Sequence, residues 1–128
     1  MNGLFLKADG AATEPLGRRL VEMPENTHAT NILRSPRSGF VVYAPIGSIA
    51  KGEELAKGCA ACHGADLRGT TLAPPIAGRH ASYTARQLWD FKLGARRGDV
   101  AALMKPAVEK LTEDELIAIT AYVASRQP

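Results

Sequence analysis

Residues 59–63 read Cys59-Ala60-Ala61-Cys62-His63, and Gly64 follows. They hold both cysteines of the 128-residue chain and one of its three histidines. On a turn of helix, two thiols three positions apart can each add to one vinyl group of a haem, and the histidine that comes next is then held beneath the iron. Other chemistries also use Cys-x-x-Cys. A dithiol redox pair expects a βαβ setting, and no strong parallel-strand runs flank this site. A zinc knuckle needs two more ligands, for which the chain offers only His28 and His80, neither at a finger spacing. A five-residue pattern can also arise by chance, so the downstream residues carry weight.

A haem iron with both axial sites filled needs a second soft or imidazole donor. Met104 meets the requirement: it stands downstream of His63 in a loop-like Met104-Lys105-Pro106, ahead of a C-terminal helix. Its neutral thioether favours reduced iron, so a His/Met pair raises the reduction potential. The bland use of Met104 is core filling. His80, at the edge of the connecting loop, is the competing ligand.

The surrounding chain changes character near residue 48. Prolines 15, 24, 36 and 45 forbid any long helix before it, and the ordered candidates there are extended pieces at Arg18–Glu22 and Gly39–Tyr43, an arm with a small hairpin. After it come three helices. Ser48 caps the first, with Ile49, Gly52, Leu55 and Ala56 on one side and Gly58 at its end. Ser82 caps the second, which carries Leu88 and Phe91 and stops at Gly94. Thr112 and Glu115 form a capping box for the third, Leu111 and Leu116 a hydrophobic staple, and Leu116, Ile119, Thr120 and Val123 one face. The expectation is an all-α unit at 48–128, with a mostly irregular arm at 1–47.

Composition narrows the function classes. With 45% hydrophobic and 23% charged residues the chain is a folded protein, and three Phe, three Tyr and one Trp are few aromatics for its core. Such a core is built from Leu, Ile, Val and Ala, or is completed by something other than side chains. The net charge of +3 is mild, and the pairs Arg18-Arg19 and Arg96-Arg97 lie far apart with acids between them, so no nucleic-acid stripe is expected. The charge-free run Gly39–Ala50 is broken by Pro45 and Gly47, which excludes a transmembrane segment there. Met1–Lys7 shows no basic leader, and its apolar run of three is too short for a secretory signal.

Taken together, Cys59–Gly64, then Ala73-Pro74-Pro75-Ile76-Ala77-Gly78, Tyr83 with Gln87-Leu88, Met104-Lys105-Pro106 and Leu111-Thr112 through Ala121-Tyr122 resemble a small bacterial class I c-type cytochrome of the cytochrome c4-like group. The resemblance implies three main helices around one covalently bound haem c, tethered by Cys59 and Cys62, with His63 and Met104 on the iron. It also implies that the Pro74 carbonyl accepts from the His63 ring. Ala73 stands where relatives often have glycine, which leaves the loop's turn open. The first and third helices are then expected to cross at Gly52 against Tyr122 or Val123. Ile76, Leu88, Phe91, Leu103 and Leu116 are the expected wall of the pocket, and Arg79, Tyr83 and Trp89 the propionate or pocket candidates.

The arm, at Gly17–Pro24, Ser35–Phe40 and Pro45–Ile49, is similar to the segment joining the two halves of bacterial dihaem cytochromes. This makes the chain the counterpart of a C-terminal haem domain, with a second cytochrome domain upstream as a partner. The function implied is one-electron transfer between redox proteins of a respiratory or dehydrogenase chain, by a carrier and not an enzyme, on the periplasmic side where such haem is attached. Two alternatives differ in class: a haem peroxidase or gas sensor in which Met104 is labile, and a metal-free dithiol protein.

Overall fold

The computed structural model describes residues 15–128, so the Met1–Lys7 segment and most of the arm's first third lie outside the described residues. Strands β1 (Val21–Pro24) and β2 (Phe40–Tyr43) pair antiparallel, Val21 opposite Tyr43 and Pro24 opposite Phe40, and a five-residue π-helical turn at His28–Ile32 lies between them. The expected hairpin is there, but its first strand starts at Val21. Arg18 and Arg19 precede it in a turn, in which the Arg19 guanidinium donates to the carbonyls of Leu16 and Pro15.

Four helices follow, not three: α1 (Ser48–His63), α2 (Ala81–Leu93), α3 (Ala101–Val108) and α4 (Glu113–Ser125). The added one is α3, which takes up the Met104-Lys105-Pro106 stretch read as a loop. Proline at 106 lacks the N–H that would bond the Ala102 carbonyl, so α3 forms with that one bond missing.

Three of the expected helix boundaries are replaced. Ser48 makes no side-chain cap; Pro45-Ile46-Gly47-Ser48 is a turn closed by the Ser48 N–H on the Pro45 carbonyl at 3.0 Å, with Gly47 at φ +84°. Gly58 does not end α1. The helix runs five residues further because the loop after it takes its last carbonyls: Thr70 Oγ1 donates to Cys62 O at 2.7 Å and the Gly69 N–H to His63 O at 2.8 Å. Helix α2 begins at Ala81 without a Ser82 cap and ends at Gly94, φ +71°, as expected. The capping box of α4 forms, with the Glu115 N–H on Thr112 Oγ1 at 3.3 Å and the Thr112 N–H on Glu115 Oε2 at 2.8 Å.

The N-terminus of α2 is capped from the arm. Glu22, its side chain 9% exposed, accepts from the Ala81 N–H at 2.9 Å, the Ser82 N–H at 3.1 Å and the Ser82 hydroxyl, and His80 Nδ1 lies 3.2 Å from it. Phe40, across the hairpin, packs edge-on against the His80 ring at 4.6 Å. A carboxylate at a helix N-terminus satisfies orphan N–H groups and meets the positive end of the helix dipole. Burial pushes the Glu22 carboxyl up, but hydrogen bonds from Ser82, Ala81 and His80 outweigh it and hold the group below its ordinary value. Arg18 makes a second, exposed link, donating to Asp114 at 2.7 Å in the first turn of α4; pairs of this kind contribute little.

Helices α1 and α4 cross at Gly52, as expected. A Cβ there would run into the Ala118 carbonyl and lie 2.7 Å from Tyr122 Cβ, so only glycine permits the approach. The core gathers Leu67, Ala77, Leu88, Val108, Leu116, Ile119 and Val123, with no aromatic among them; Phe91 and Tyr122 border it.

Replacing Glu22 by Gln should lower the unfolding free energy by about 1–2 kcal/mol at neutral pH, the usual loss of a helix cap. Because the folded-state pKa of Glu22 is depressed, its contribution is complete above the unfolded value and fades as pH falls through the folded one. Melting curves of the two proteins should therefore converge in acid. Gly52→Ala should cost about 1–3 kcal/mol by overpacking the crossing, read from denaturant midpoints.

Candidate functional site

The last turn of α1 carries the motif. Cys59 is half-buried against the core cluster, Cys62 is exposed one turn on, and no disulfide joins them. His63, the final helical residue, is 6% exposed. Its Nδ1 lies 2.7 Å from the Pro74 carbonyl oxygen. A carbonyl can only accept, so Nδ1 carries the proton and Nε2 keeps the lone pair that binds a metal. The expected histidine–proline contact is thus formed.

The loop between them is built for that contact. Leu67 is 2% exposed and has φ +63°, a conformation that disfavours side chains; its carbonyl accepts from both Ile76 and Ala77 at 2.9 and 3.0 Å. Thr70 organises the rest. Its N–H donates to Ala73 O at 2.8 Å, and its hydroxyl oxygen accepts from the Leu72 and Ala73 N–H groups at 3.1 and 3.2 Å. The turn left open by Ala73 is therefore made without a glycine at that position. Gly69, at φ +90°, lets Pro75 pass where a Cβ would stand 2.7 Å from its nitrogen. No sequence signal singled out Leu67 or Thr70, because both matter through backbone geometry.

Met104 lies half-buried on α3 and packs against the same core cluster as Cys59, Ile76 and Phe91. The competing ligand, His80, is instead engaged with Glu22 and Phe40. Of the expected wall residues, Leu88 and Leu116 belong to the cluster and Ile76 and Phe91 border it, whereas Leu103 is 64% exposed. Arg79, Tyr83 and Trp89 do not converge. Arg79 donates to the Pro75 carbonyl and lines, with Arg68 and His80, a cavity of about 400 Å³ that neither aromatic reaches. Tyr83 and Trp89 are six positions apart on α2, about 240° around the helix, and so face different ways.

These residues fit a covalently held haem. The Pro74 contact leaves one ring nitrogen of His63 free for an iron, Cys59 and Cys62 present two thiols on one helical turn for the haem vinyl groups, and Met104 borders the same apolar cluster as Cys59. Burial pushes the Cys59 thiol above its ordinary value, the opposite of what a dithiol nucleophile requires. Among the described residues, no group of three or more His, Cys, Asp or Glu side chains gathers to hold a bare metal ion.

Residues 49–127 match the family model for cytochrome c. The chain is 30% identical to cytochrome c4 of Stutzerimonas stutzeri over 88% of its own length and 63% of that protein's. It is 41% identical to the thiosulfate dehydrogenase electron acceptor of Stutzerimonas stutzeri (strain A1501), over 52% of this chain and 30% of that one. The crystal structure of reduced recombinant cytochrome c4 from Pseudomonas stutzeri superposes with a TM-score of 0.59 at 32% identity, covering 66% of this chain and 51% of that one. The chain thus spans under two thirds of the length of each.

Replacing Cys59 and Cys62 together by Ala should leave no haem bound after acid–acetone extraction, in protein made with a c-type maturation system. The same variant should lose its cooperative melt, since the porphyrin is expected to complete a core without buried aromatics. A native-like transition would contradict that account of the core.

Proposed function

The chain belongs to the cytochrome c family and carries one covalently attached haem c, and on that premise we propose that it is a one-electron carrier with His63 and Met104 as the axial pair. The observation that carries the reading is the buried His63 ring, its Nδ1 held by the Pro74 carbonyl at 2.7 Å and its Nε2 left free. When bound, the haem supplies an iron that exchanges a single electron between the ferrous and ferric states.

The chain's own residues set the conditions for that exchange. Pro74 fixes the tautomer and plane of His63 and makes it a stronger ligand. Cys59 and Cys62, on the same turn as His63, would tether the macrocycle to α1, which packs closely on α4 at Gly52. Leu88, Leu116, Ile76 and Phe91 line an apolar surround that keeps water from the buried side. His63 ends a helix that packs closely on α4 at Gly52, and Met104 sits on the short α3 beside the same core cluster.

The partners we propose are redox proteins of a bacterial respiratory or dehydrogenase chain. The relative named as the electron acceptor of a thiosulfate dehydrogenase supports a dehydrogenase as donor. The match to cytochrome c4 runs through the arm as well, which supports a second cytochrome domain on the N-terminal side. In this reading the arm, as residues 1–47, is a linker and residues 48–128 are the haem domain. No helix of the described residues is long and apolar enough to cross a membrane; the periplasm is the compartment that c-type attachment calls for. The charge of +3 omits the two propionates, so the surface is near neutral and sets no strong preference for an acidic partner.

Met104→Ala should keep haem attached, abolish the weak methionine-to-iron charge-transfer band of the ferric protein and admit carbon monoxide to the reduced one. The midpoint potential should fall by more than about 0.1 V, within the ~0.8 V over which axial ligands tune haem. An unchanged potential would assign the sixth position to another residue, and carbon monoxide binding at once to the unaltered protein would favour the labile-ligand sensor or peroxidase.

A further inference from the structure

Helix α3, which carries Met104, has little of its own to hold it. It is eight residues long, Val108 is its one buried residue, and Pro106 deprives it of a backbone bond. A helix that short is not stable alone. Its far end is held by Val108, which enters the core cluster, and by a side chain from another helix. Lys92, half-buried in the last turn of α2, reaches across to the corner between α3 and α4, where its ammonium donates to the Glu109 carbonyl at 2.9 Å and to the Leu111 carbonyl. Glu109 is the residue that ends α3, and Leu111 directly precedes the capping box of α4. One cation thus satisfies two carbonyls of the corner, the first of them at the negative end of α3.

The surroundings fit a charged clasp. Glu115, whose carboxyl is held below its ordinary value mainly by the hydrogen bonds from Thr112, is further favoured as an anion by the charges of Lys51 and Lys92. Lys92 therefore bonds the corner between α3 and α4 and feels the carboxylate of the capping box that starts α4. Phe91, its neighbour on α2, and Leu111 pack against the same core cluster that Met104 borders.

We infer that Lys92 is a positioning residue for the sixth iron ligand: by fastening the end of α3 to α2 it sets how often Met104 leaves the iron. The inference rests on the reading of Met104 as that ligand. A state with Met104 released requires α3 to swing from α2, which breaks both Lys92 bonds, whereas the closed state keeps them. Removing the clasp raises the open fraction, and an external ligand that binds only the open state gains apparent affinity in proportion.

The experiment is an imidazole titration of the ferric holoprotein, followed optically, for the unaltered chain and for Lys92→Met, Lys92→Gln, Lys92→Arg, Met104→Ala and Gly52→Ala. Lys92→Met should bind imidazole about tenfold more tightly and faster, the scale of one or two lost charged hydrogen bonds. Lys92→Gln should fall between, and Lys92→Arg should stay within about twofold of the unaltered protein because it keeps the charge and the donors. If Lys92→Met fails to retain haem, Lys92→Gln makes the same comparison. Gly52→Ala, destabilised at the other helix pair, should leave the affinity within about twofold. The inference is overturned if Lys92→Met and Lys92→Gln bind imidazole as the unaltered chain does while Met104→Ala binds it tightly. It is also overturned if Gly52→Ala shifts the affinity as much, since general destabilisation then suffices. If Met104→Ala itself changes nothing, the ligand assignment fails and the clasp falls with it.

Discussion

The hydrogen bond from the His63 ring to the Pro74 carbonyl joins two parts of the chain that would otherwise be independent, the end of α1 and the loop leading to α2. Its consequences run outward in both directions. For the imidazole to reach Pro74, α1 must continue past Gly58, and Thr70 and Gly69 must take the carbonyls of Cys62 and His63. For Pro74 to be in reach, the loop must fold back on Leu67, whose strained backbone is tolerated because it is buried and its carbonyl holds two N–H groups. The haem-binding chemistry and the loop conformation are therefore one arrangement.

The arm is part of this arrangement and not only a connector. Glu22 supplies the cap that α2 lacks, so the start of α2, and with it the end of the Pro74 loop, is fastened from about sixty residues upstream. The other end of α2 carries Lys92, which fastens the corner after α3. Helix α2 thus works as a strut. At its N-terminus a carboxylate meets the positive end of the dipole, and at its C-terminus a lysine leaves it to serve carbonyls of the α3–α4 corner.

The shortage of aromatics takes on a definite meaning beside this core. Among the described residues the largest side chains with under 2% exposure are Val123 and Thr120, and the α1–α4 crossing sets Gly52 against Ala118 and Tyr122. Small residues allow two short helices to approach closely but bury little apolar area each. A unit near the lower size limit for unaided stability has much to gain from a cofactor that brings its own apolar surface.

Much of this was legible in the chain itself, where a short pattern carries a local physical rule. Cys59-Ala60-Ala61-Cys62-His63 specifies its chemistry by spacing, Thr112 and Glu115 specify a helix start by reciprocal hydrogen bonds, and Gly52 announces a close approach. Readings of the same local kind failed where a distant group won. Ser48 and Ser82 have the right chemistry for caps, yet a glycine turn and Glu22 take their places. Gly58 has the right chemistry for a stop, yet the loop after His63 keeps the helix going. Met104-Lys105-Pro106 reads as a loop by its proline, yet packing beside α2 keeps it helical. The sequence by itself determined the cofactor chemistry, the family and the principal helices, because these rest on residue identity within a few positions. Only the tertiary structure decided which groups cap and clasp those helices, because a hydrogen bond between residues about sixty positions apart leaves no local trace until the fold brings its partners together.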